Sequence, residues 1–74
     1  VDTPEALLLT DEIRRKVEEA IDKLPPDLRQ AITLRELEGL SYEEIAATTG
    51  STESAIKSRL HRARQMMAGL LQVA

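Results

Sequence analysis

The sequence predicts an all-α fold, a compact four-helix domain with a helix-turn-helix, winged-helix-like in type but with no sheet. Three observations carry this expectation. Apolar residues recur every three or four positions through most of the chain. Proline and glycine fall where those runs stop, and hydroxyl or carboxyl residues stand where they start. With 74 residues there is room for one core, and a thin one, because a chain this short buries only about 60% of the surface its unfolded form exposes.

Residues 1–9 open the chain with Pro4 among them and no clear period. They read as the end of an interdomain linker whose leucines, Leu7 to Leu9, pack onto the domain formed by residues 10–74. Neither an initiator methionine nor a signal peptide stands at Val1, which fits a piece of something longer. Thr10, followed by Asp11 and Glu12, is a helix-start signal: an acceptor cap with two acids at the positive end of the helix dipole. Ile13, Val17, Ala20, Ile21 and Leu24 then recur at helical spacing. Pro25 ends that run, since the residue before a proline disfavours the helical region.

Pro26 opens a second helix, at a position where its missing N–H costs nothing. Leu28, Ala31, Ile32, Leu34 and Leu37 continue the apolar pattern, and Gly39 supplies a left-handed cap, so this helix ends near Glu38. Ser41 and Glu44 have the capping-box spacing, and Leu40 and Ile45 the spacing of a hydrophobic staple, so a third helix starts sharply there. Thr48, Thr49, Gly50, Ser51 and Thr52 are turn or cap formers in succession and cut it short. Ser51 or Thr52 caps a fourth helix that reaches about Leu70.

A short helix, a turn with glycine and a longer cationic helix make the helix-turn-helix layout, whose second helix lies in the major groove of DNA. Ala46 is small enough for the two helices to approach, Gly50 falls four residues later, and Ile56 stands where the second helix needs a core anchor. The net charge of -3 argues against a nucleic-acid binder, but its distribution does not. Residues 1–53 hold six Lys/Arg against thirteen Asp/Glu, whereas residues 54–74 hold Lys57, Arg59, Arg62 and Arg64 with no acid. Four cations on one helix are more often a solvated face than a binding site, so the helical wheel has to decide.

At about 100° per residue, Ile56, Leu60, Ala63, Met67 and Leu70 share one face of that helix. Ser54, Ala55, Ser58, His61, Arg62 and Gln65 share the opposite one. Ser54, Ala55 and Ser58 leave room near the helix start for close approach to base edges. Arg62 is the best placed bidentate donor for a guanine, and Ser58 or His61 can add a hydrogen bond. Lys57, Arg59 and Arg64 lie on the flanks, where long cationic side chains reach phosphates. Arg59 borders the apolar face, and an ion pair with an acid of an earlier helix is an equal expectation for it.

Catalysis finds no candidates. His61 is the only histidine and has no carboxylate near it in sequence, while Glu43 and Glu44 face different ways and are better explained by capping. The chain has no cysteine, hence no disulfide framework or thiolate metal site; no metal site and no cofactor is expected. The longest apolar run, Ala6 to Leu9, is far short of the roughly 20 residues of a membrane span.

Three ordered blocks carry a family likeness. They are Leu24-Pro25-Pro26-Asp27-Leu28-Arg29, Ile32 through Ala46 (Ile-Thr-Leu-Arg-Glu-Leu-Glu-Gly-Leu-Ser-Tyr-Glu-Glu-Ile-Ala), and Lys57-Ser58-Arg59-Leu60-His61-Arg62-Ala63-Arg64. Over about residues 10–70 the chain resembles region 4 of the extracytoplasmic-function sigma factors, particularly the sigma-E type. The resemblance implies a sigma-4 type helix-turn-helix domain that binds the -35 promoter element and docks on the flap of the RNA polymerase beta subunit. It also implies control by an anti-sigma factor, a place in the bacterial cytoplasm, and no small-molecule substrate. By position, Lys57, Ser58, His61 and Arg62 are similar to the groove-facing residues of the recognition helix. Arg35, Tyr42, Glu43, Arg59 and Arg64 are similar to residues that contact or orient the DNA backbone. The chain departs from the family pattern at Thr49 and Ser51, where apolar residues are usual, and at Glu53-Ser54-Ala55, a stretch that commonly contains glycine and threonine.

Two other readings share parts of this pattern. A response-regulator output domain of the LuxR type has the same helix-turn-helix layout, but the proline-rich break and the block from Ser58 to Arg64 count against it. A sigma-like domain that binds an anti-sigma factor without DNA would not need four cations on its last helix. The acidic first half suits a two-sided adaptor, turned away from DNA towards protein. Met66, Met67, Leu70, Leu71 and Val73 form a soft apolar tail suited to a partner helix, although core packing is the commoner role of such residues.

Overall fold

Helix α1 spans Pro4–Asp22, α2 Pro26–Ile32 with a π-helical continuation over Thr33–Leu37, α3 Tyr42–Thr49 and α4 Glu53–Leu70. This computed structural model describes the backbone of residues 4–71 and the side chains of residues 11–71, and no strand occurs among the described residues. The core is built around Ile32, Ile45, Ile56 and Leu60, its largest fully buried side chains. One comes from α2, one from α3 and two from α4, so the last helix is the element on which the others converge.

The first helix begins earlier than its local signals suggest. Pro4 is its first residue, so Thr10 lies inside α1 and does not cap it. Proline suits a first helical position, and Ala6 with three leucines after it are strong helix formers that outweigh the missing period. Helical backbone therefore runs through residues 4–9 of the segment read as a linker. The packing of Leu7 to Leu9 lies outside the described residues, as does Val73. Ile13, expected on the apolar face, is 61% exposed. Residues 11–16 are all exposed, and burial starts with Val17 and is complete at Ala20, Ile21 and Leu24. Apolar spacing gave the correct side of α1, but the partner it needs stops one turn short of Ile13.

Pro25 and Pro26 break the chain as expected, and Pro26 is the first residue of α2. The end of α2 is a different matter. The Glu38 N–H donates to the Thr33 carbonyl at 3.2 Å, a five-residue span that widens the turn into a π-helix. Gly39, at φ +71°, then reverses the chain, and the Leu40 N–H donates back to Leu34 at 3.0 Å. The wider turn shifts the apolar register. Leu34 stays packed on the core, while Leu37 is turned out and 62% exposed.

The capping box at α3 is formed in both directions. The Glu44 N–H donates to Ser41 Oγ at 3.1 Å and the Ser41 N–H to Glu44 Oε1 at 3.0 Å, while Leu40 and Ile45 both join the core cluster. The backbone and hydroxyl of Ser41 hold the Glu44 carboxyl below its usual range. A lowered folded value means that this contribution is present above the ordinary carboxylate range and lost as pH falls through the depressed value. The protection factor of the Ser41 amide is therefore expected to drop on strong acidification. Protection that is indifferent to acid would refute this role for Glu44.

At its other end α3 closes on Gly50, at φ +66°. The Ser51 N–H donates to Ala46 at 2.9 Å and the Gly50 N–H to Ala47 at 3.4 Å, the paired bonds of a Schellman motif. Thr52 is the residue that caps α4, accepting from the Ala55 N–H at 3.1 Å. Ser51 is thereby free for another task.

Candidate nucleic-acid interface

The orientation of α4 follows from which of its residues can be covered. Ile56, Leu60 and Ala63 are fully buried and Met67 is half-buried against the same cluster. Leu70 is not covered: it is 43% exposed, because the last turn runs past the core, and Met66 beside it is 41% exposed. With one face sealed inward, Ser54, Lys57, Ser58, His61, Arg62 and Gln65 are all exposed. Ala55 alone among the residues expected to meet bases is half-buried.

The basic side chains around this face divide into two groups. Among the described residues, no hydrogen bond or ion pair engages Lys57, His61 or Arg62, whose polar atoms stand free on the surface. Arg59, Arg64 and Arg35 are instead occupied within the fold. Among the described residues, Arg59 pairs with no acid of an earlier helix. Its Nη1 donates to Ser51 Oγ at 2.9 Å, tying the middle of α4 to the turn before it. Thr49, which like Ser51 stands where an apolar residue is usual, donates its hydroxyl to the Ile45 carbonyl at 2.8 Å. Both polar side chains are thus satisfied where a packed apolar residue would otherwise do the holding.

Arg35 and Arg64 meet around Tyr42. The Arg35 guanidinium lies 5.1 Å from the centroid of the Tyr42 ring and donates from Nη1 to the Leu40 carbonyl at 2.9 Å. A stacked cation of this kind contributes about 0.5–1 kcal/mol at an exposed site. Arg64 approaches from α4, with Nη2 3.1 Å from Glu36 Oε1. The Arg64 guanidinium beside the Tyr42 hydroxyl also holds that phenol below its usual range, with Arg35 and Lys57 adding to the positive field. Tyr42 and Glu36 in turn hold Arg64 firmly protonated. The π turn, the first residue of α3 and the middle of α4 are thereby joined by polar contacts. Glu43 is exposed one residue further on, in the first turn of α3. A carboxylate repels a phosphate, so any part it takes at a duplex is to orient a cation.

Sequence reasoning missed Glu36 and the task of Ser51. The signals that exist are faint: Glu36 and Arg64 are 28 positions apart, and Ser51 and Arg59 are eight apart across a turn. Neither separation belongs to a short-range pattern.

The profile of the family Sigma-70, region 4 matches residues 14–67. The chain belongs to that family. Among region 4 relatives, the ECF RNA polymerase sigma-E factor of Haemophilus influenzae is 50% identical over 72 residues, covering 97% of this chain and 38% of the relative. The sigma-E factor of Escherichia coli K12 is 49% identical over the same length, with the same coverage. The chain thus spans 38% of the length of the relatives it matches. Among solved structures, a chain of the RsbN-BldN complex superposes with a TM-score of 0.76 at 36% identity, over 85% of this chain and 46% of that one. Membership of the region 4 family sets the response-regulator reading aside.

Proposed function

We propose that this region 4 domain is the promoter-reading module of a bacterial extracytoplasmic-function sigma factor, placing α4 in the major groove of the -35 element. The observation that carries the reading is the exposed strip Ser54, Lys57, Ser58, His61 and Arg62 on a helix whose opposite side is sealed in the core. Small residues at the helix start admit the base edges, Arg62 offers two parallel donors to a guanine, and Ser58 and His61 supply single hydrogen bonds. Lys57 and Arg64 meet phosphates on the flanks, Arg35 and Tyr42 meet the backbone beside α3, and Arg59 keeps the turn in place.

The domain works by binding alone and catalyses nothing. It directs RNA polymerase to initiate transcription by docking on the beta flap, in the cytoplasm, and an anti-sigma factor holds it inactive. The acidic excess of α1, six Asp/Glu against three Lys/Arg, suits such protein contacts, since it would be repelled by a duplex.

Fluorescence anisotropy of the chain with duplexes selected from a random pool tests the reading. Affinity is expected to fall with salt, the log-log slope steepening by about 0.9 for each phosphate contacted. Selection should converge on one short sequence. Binding that ignores salt, or a selected pool that stays random, would overturn it.

A further inference from the structure

Glu36 stands where a phosphate would be useful. It is 51% exposed in its side chain, it accepts from Arg64 Nη2 at 3.1 Å, and Arg64, itself 47% exposed, is the cation of α4 nearest the Tyr42 hydroxyl. Around it lie Arg35, stacked on Tyr42, and Lys57, which adds to the field at the phenol. A carboxylate and a phosphodiester are both monoanions with oxygen acceptors. They compete for the same guanidinium. Like charges brought side by side also repel, so a phosphate settling on Arg64 meets the field of Glu36 even where the guanidinium serves both.

We infer that Glu36 is a built-in competitor for the backbone phosphate of the duplex, an intramolecular anion that occupies Arg64 in the free protein and weakens DNA binding without affecting base choice. This inference rests on the reading of α4 as a DNA-binding helix. The contact suits an attenuator because it is strong enough to hold Arg64 in place and exposed enough to be exchanged. A half-exposed ion pair is weak, so a phosphate can replace it. Glu36 lies on the π turn, and among the described residues it hydrogen-bonds to Arg64 and to none of Ser58, His61 or Arg62, so the groups offered to the bases are the same with and without it.

The test compares the chain with its E36Q and E38Q variants in salt titrations against one selected duplex. Glu38 lies two residues away, is exposed and carries the same charge, so it controls for the change in net charge. E36Q is expected to bind about two- to fivefold more tightly at low salt, with a steeper salt slope and the same selected sequence. E38Q is expected to match the parent. Thermal unfolding of both variants shows whether they remain folded, and E36A serves as the second variant if E36Q does not. Equal or weaker binding of E36Q, an equal gain in E38Q, or a changed selected sequence would each overturn the inference. If the parent chain itself binds without salt dependence, the DNA-binding reading fails; if only the variants disagree, that reading stands and the attenuator alone is lost.

Discussion

Leu60→Ala is expected to remove a large part of the protein's stability and lower its urea midpoint sharply. Leu60 is fully buried at the centre of α4, and truncating such a leucine costs about 2–5 kcal/mol, through lost transfer energy and the cavity left behind. A domain of this length has a total stability of only about 4–11 kcal/mol, taking roughly 0.05–0.15 kcal/mol per residue. One substitution therefore removes a large part of it. Circular dichroism during urea unfolding checks this, with Leu70→Ala as the companion, since Leu70 is 43% exposed and its loss should be nearly silent. Equal midpoints for the two variants would mean that the core is not organised around α4.

The second large effect is on recognition. Arg62→Ala should cost on the order of 1–3 kcal/mol in binding to the selected duplex and relax the preference at one base pair. Arg62 is exposed and engaged by no other side chain described, so its removal leaves the fold intact and deletes only what it offers to a partner. Lys57→Ala gives the contrast, weakening binding to all sequences alike and flattening the salt slope by about one. A selected sequence that is unchanged after Arg62→Ala would show that some other side chain reads that position.

Much of this could be foreseen where the governing rule is local. The Ser41 and Glu44 box, the Pro25-Pro26 break, the left-handed glycines and the buried face at Ile56, Leu60 and Ala63 all follow from neighbours within four residues. Thr10 shows the weakness of the same rules: a good cap signal loses to a run of helix formers that allows the helix to start sooner. Ile13 and Leu70 show another, because periodicity marks a side of a helix and says nothing of where the opposing surface ends. The π turn, the hold of Arg59 on Ser51 and the pairing of Arg64 with Glu36 depend on tertiary placement. No window of sequence contains them.

Both left-handed glycines, Gly39 and Gly50, face open space: a Cβ added at either would find no neighbouring atom within 4 Å. What they supply is handedness rather than room. The turn out of α3 into α4 therefore rests on a main-chain torsion that glycine adopts without strain. Any other residue at Gly50 would cost backbone strain without striking a neighbour, so the loss would show in stability and in the set of the turn.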